Sequence, residues 1–146
     1  MKSLNWPRVI LGGVVWFVAY NALAGAAWFA FLRRWGVPAF HPLLGSPQSP
    51  GLSLVFSVLL LTLTMGIFAL WLYAAIYRRS GTSRMTFVHV SIALWLLWGL
   101  MPNWPFSGIS VPGLVELVSK LVVLVIATWS GTRVYRESAP DASTAS

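Results

Sequence analysis

The sequence predicts an all-α integral membrane protein, a bundle of four transmembrane helices with both termini on the cytoplasmic side. Three observations carry this reading. Of 146 residues, 58% are hydrophobic and only 9% are charged, where a soluble domain carries about 25% charged residues. Four apolar stretches of helical length are hydrophobic around most of their circumference, not along one stripe. The basic residues gather beside those stretches. Only three acids are present, Glu116, Glu137 and Asp141, too few to solvate a globular surface of this size. A water-soluble enzyme is not expected. The absence of cysteine excludes disulfides, thiolate metal sites and thiol redox chemistry.

The first span covers about residues 9–32 and is long enough for a tilted helix across a hydrocarbon core of roughly 30 Å. Met1-Lys2-Ser3 and the later Ala22-Leu23-Ala24 resemble a cleavable signal peptide. The apolar run nevertheless continues through Trp28-Phe29-Ala30-Phe31-Leu32 to Arg33-Arg34, so the segment reads as a retained span. The connection that follows carries Pro38, Pro42, Pro47 and Pro50 and reads as an irregular loop. The second span covers about 52–77, closed by Arg78-Arg79, with Gly81 placed to end the helix. The third, 85–101, has Thr82 or Ser83 as cap and Pro102 as its stop. The fourth, 112–135, has Pro112 in its first turn. Residues 1–137 thus form one domain, and 138–146 read as a disordered cytoplasmic tail.

Orientation follows from the basic residues. Lys2, Arg8, Arg78, Arg79, Arg84, Arg133 and Arg136 fall on one side, against Arg33 and Arg34 on the other, while Lys120 lies inside a span. The richer side is the cytoplasmic one. The net charge of +7 is therefore a topology signal. Nucleic acid is not an expected partner, because its electrostatic footprint requires one basic surface. Aromatic residues fall at both boundaries: Trp6, Tyr77, Phe87 and Tyr135 inside, Trp35, Phe40, Trp104 and Phe106 outside. Amphipathic rings favour that depth.

Polar groups at membrane depth are costly, so they are the candidate site. Glu116 and Lys120 stand at i and i+4 in the fourth span, with the acid on the N-terminal side, the favourable order. They lie roughly 6 and 12 Å inside the outer end of the span. Ser119, Val123, Ala127, Ser130 and Gly131 extend their face, which is expected to turn inward, while Val118, Val122, Val125 and Trp129 turn to lipid. A structural pin between helices is the favoured reading of the pair, and a proton or substrate site the alternative. Asn21 in the first span is expected to hydrogen-bond across to another helix, or to join Glu116 and Lys120 in a small polar pocket. Ala22, Ala26 and Ala30 form a small-residue stripe suited to close packing within the bundle or against a second copy. His89 is a weak candidate. A bis-histidine haem would need a second histidine at its depth, and His41 belongs to the other side, so a capped or interfacial histidine is expected. No phosphate loop, nucleophile motif or carboxylate pair occurs, so no catalytic residue, metal or cofactor is expected.

At Trp71-Leu72-Tyr73-Ala74-Ala75-Ile76-Tyr77-Arg78-Arg79, Gly81 and Leu94-Trp95-Leu96-Leu97 the chain resembles a group of small bacterial four-span inner-membrane proteins of unassigned function. Val115-Glu116-Leu117 and Gly131-Thr132-Arg133-Val134-Tyr135-Arg136-Glu137 fit the same pattern. The resemblance covers most of the chain. It implies a multi-pass protein of the bacterial cytoplasmic membrane and carries no chemistry. Small multidrug transporters are similar in size only, since their essential glutamate lies in the first span, where this chain has Asn21. Two roles follow as expectations. The first is a structural or accessory protein, acting through helix contacts with itself or a larger complex. The second is a small transporter or ligand-binding protein using Glu116, Lys120 and Asn21.

Overall fold

The computed structural model describes residues 4–35, 52–80, 83–100 and 110–135. Among them the chain is entirely helical: α1 (Trp6–Ala30), α2 (Leu52–Ser80), α3 (Ser83–Leu94) and α4 (Val111–Val134). A short 3-10 turn, Leu32–Trp35, follows α1, and a π-helical segment, Trp95–Leu100, prolongs α3. The Pro-rich connection, His41, Phe40, Gly81, Thr82, Pro102, Trp104, Phe106 and the 138–146 tail lie outside the described residues.

Capping chemistry sets two of the starts. Asn5 caps α1, its side chain accepting from the Arg8 N–H at 3.4 Å, with Pro7 in the first turn. This brings the helix start three residues ahead of the expected position 9. Ser110 caps α4, accepting from the Gly113 N–H at 3.2 Å, and Pro112 occupies the first turn as its fixed φ favours.

Three helices are long and apolar enough to cross a membrane: Trp6–Ala30, Val55–Tyr77 and Val111–Val134. For the third expected span, the described residues supply a shorter apolar helix, Met85–Trp98, which rises about 21 Å. The faces that no helix covers are built of large hydrophobic side chains, among them Phe29 and Phe56, 71% and 70% exposed. That surface suits acyl chains and not water.

α1 packs most extensively, against α2 on one side and α4 on the other, while α3 closes against α2 and α4. Glycine makes this possible. Gly13 meets Gly66 and Gly12 meets Gly131 with almost no space between backbones. A Cβ on Gly13 would lie 2.7 Å from the Ile67 Cα, and one on Gly131 would lie 2.9 Å from the Gly12 carbonyl oxygen. Without a hydrophobic driving force between helices in lipid, such close approach supplies the van der Waals contact that holds them. Trp16, Leu70, Leu94, Leu124, Val9 and Val90 fill the core around these contacts.

Of the two partners expected for the small-residue stripe, the bundle or a second copy, the bundle does not cover it. Ala22, Ala26 and Ala30 are all exposed on α1. The close approach belongs to Gly12 and Gly13, about two and a half to five turns earlier, where carbonyl oxygens come within the reach of a Cβ. Tyr135, at the C-terminal end of α4, is buried, 3% exposed, its ring edge-on to Tyr73 at 6.1 Å.

Candidate functional site

In α4, Ser119, Val123, Ala127 and Gly131 are buried and Glu116, Lys120 and Ser130 half-buried, while Val118, Val122 and Trp129 are exposed. This is the division that the small and polar face predicts. Leu124 and Thr128 share the buried side, and Val125 is half-buried.

Lys120 Nζ lies 2.6 Å from Glu116 Oε1, with the two side chains 21% and 24% exposed. The pair closes within one helix. Glu116 also takes the more N-terminal position, the favourable order for an i, i+4 pair. On α1, the Tyr20 hydroxyl lies within range of the Glu116 charge. Tyr20 is fixed from two directions: its ring stacks on Trp16 at 5.0 Å with only 4° between planes, and its hydroxyl accepts from Trp98 Nε1 at 2.9 Å.

The π-helical segment positions the indoles beside this site. Past Leu94 the wider turn re-aims the chain, so that Trp98 reaches α1 while Trp95 Nε1 donates to the Leu117 carbonyl of α4 at 3.2 Å. A carbonyl has two lone pairs, so Leu117 can accept this bond and still serve its own helix. Deeper in, Trp16 Nε1 donates to Thr128 Oγ1 at 3.1 Å, a buried bond between α1 and α4. Trp16, Tyr20, Trp95, Trp98 and Thr128 are the residues that sequence reasoning missed. Their spacings, i and i+4 for Trp16 and Tyr20, i and i+3 for Trp95 and Trp98, place each pair on one helix face and were the available signal.

Asn21 turns the other way. Its Nδ2 donates to Thr62 Oγ1 on α2 at 3.3 Å and to the Phe17 carbonyl at 2.9 Å. Thr62 in turn donates back to the Val58 and Leu59 carbonyls of its own helix. The bond across to another helix is thus made. Asn21 has its partners on α2 and α1, while Glu116 and Lys120 pair within α4. His89 is exposed on α3, its Nδ1 2.7 Å from the Met85 carbonyl one turn back. Among the described residues, no group of three His, Cys, Asp or Glu side chains could hold a metal ion.

At the other end of the bundle, Tyr73 stacks on Tyr77 at 5.8 Å, and Arg133 stands 3.8 Å over the Trp129 ring. An arginine packed on an exposed indole is an arrangement suited to the headgroup level. The chain matches no protein-family model, no curated protein and no solved structure.

Proposed function

We propose that this chain is a four-span protein of a bacterial cytoplasmic membrane, with both termini inside, that serves as a structural or accessory component through its helix surfaces. The observation that carries the reading is that four polar contacts within the bundle are closed, while among the described residues the buried Ser91 hydroxyl is left without a hydrogen-bond partner. Glu116 is paired with Lys120, Asn21 with Thr62, Trp16 with Thr128, and Trp98 with Tyr20. Three of the four join different helices, so their contribution is to the bundle.

The competing role is a transporter or ligand-binding protein using Glu116, Lys120 and Asn21. What favours it is an ion pair held half-buried within a largely apolar helix. What disfavours it is that Asn21 has its partners on the α2 side.

Complementation separates the two. In a strain lacking the protein, Glu116→Gln with Lys120→Met should restore the wild-type phenotype as fully as the native chain, provided both reach the membrane in equal amount. A double variant that accumulates and keeps its melting temperature but fails to complement overturns the accessory role in favour of the ion-pair site. Orientation is tested by reporter fusions at Gln48 and Thr144, which should report opposite sides of the membrane, the second cytoplasmic. A cytoplasmic signal from Gln48 overturns the assignment made from the basic residues.

A further inference from the structure

α1 and α4 meet tightly at one end and part at the other. Between Gly12 and Gly131, and at the Trp16–Thr128 bond, they touch. Beyond that they diverge, leaving a groove of about 650 Å³ that begins near Phe31 and Leu114 and ends near Ile126. Ala26 forms part of its α1 wall and Val118 part of its α4 wall, and the lining is almost wholly apolar.

Length identifies the occupant. From Leu114 to Ile126 the groove runs about 18 Å, close to one leaflet of a hydrocarbon core of roughly 30 Å. A helix from a second copy would need a face across the whole core, and the glycine contact closes this one halfway. A single acyl chain is one leaflet long. Charge identifies its headgroup. Arg33 and Arg34 are exposed in the 3-10 turn that follows Phe31 and packs against α4. The Arg34 N–H donates to the carbonyl of Phe31, a groove residue, at 3.0 Å, which holds the turn against that end of the groove. Arg33 is held 5.9 Å from the Trp28 ring. These two arginines are the ones that the cytoplasmic basic excess leaves unexplained. Basic side chains at the bilayer surface attract anionic headgroups.

We propose that the α1–α4 groove binds one acyl chain of an anionic phospholipid, whose phosphate is received by Arg34 and Arg33. The site needs only that its mouth lie at a membrane surface, so it stands for either orientation of the chain and for either role proposed above.

The test uses the full-length chain in detergent, offered equal amounts of phosphatidylglycerol and phosphatidylcholine and examined by native mass spectrometry. The native chain should retain one phosphatidylglycerol in preference. Arg33→Gln with Arg34→Gln should reduce that preference by about fivefold per arginine. Ala26→Trp, which fills the groove, should abolish retention of both lipids. Phosphatidylglycerol with a photoreactive acyl chain should label peptides containing residues 23–31 and 114–126, a readout that needs no variant. Equal retention of the two lipids, labelling confined to other helices, or a native dimer that Ala26→Trp turns into monomer would each overturn the proposal, the last by making a second copy the occupant.

Discussion

Single residues decide how much of the membrane interior is fixed. Trp16 is 1% exposed, and its indole N–H has one acceptor, Thr128. Thr128→Val keeps the shape but orphans that donor, so it should lower stability by about 1–3 kcal/mol in detergent unfolding, with Thr128→Ser largely restoring it. The Glu116–Lys120 pair should behave asymmetrically. Lys120→Met alone leaves a carboxylate without its partner at membrane depth and should cost about 1–2 kcal/mol, given the partial exposure. Adding Glu116→Gln should recover most of that loss, a coupling that a double-mutant cycle reads directly. The pair was legible in the sequence because its partners are one helical turn apart. The bond of Trp16 to Thr128 was not, since 112 residues separate them and nothing in either helix alone specifies which neighbour it meets.

At the scale of the helix, glycine and alanine divide the work that composition alone leaves unassigned. Both are small, and the four-residue spacing of Ala22, Ala26 and Ala30 reads as a packing stripe. Where a carbonyl of one helix presses on the Cα of another, however, even a methyl group does not fit. A Cβ on Gly66 would meet the Gly13 carbonyl oxygen and lie 3.0 Å from the Trp16 ring. Gly66→Ala should therefore destabilise by about 1–3 kcal/mol through overpacking. Gly25, with open space where its Cβ would stand, should do the opposite: Gly25→Ala removes backbone freedom and should stabilise by about 0.5–1 kcal/mol. Thermal unfolding of the two variants side by side checks both signs. The lengths of α1, α2 and α4 were legible because apolar runs and caps bound them, to within a few residues. The π-helical segment carrying Trp95 and Trp98 was not, because its register is imposed by the bonds those indoles make to other helices.

For the whole molecule, the sequence reveals the medium and leaves the function to geometry. An all-helical chain with three membrane-length spans follows from its apolar composition. The order of contacts around α1 does not, since lipid-facing and helix-facing surfaces are equally apolar and only the small and polar positions tell them apart. The shortness of α3 has a further result. Its described apolar stretch, Met85–Trp98, continues in the sequence only through Gly99-Leu100-Met101 to Pro102, about 26 Å in all as a helix beside a hydrocarbon layer of roughly 30 Å. Its outer face, with Met85, Val88, Ile92, Leu96 and Leu97 exposed, is suited to acyl chains. If α3 completes a fourth span, the layer beside it must thin, at a fraction of a kcal/mol for each ångström of hydrophobic mismatch. The protein should then melt at higher temperature in bilayers of short-chain lipids than in those of long-chain lipids. A thin patch of membrane would accompany it wherever it resides.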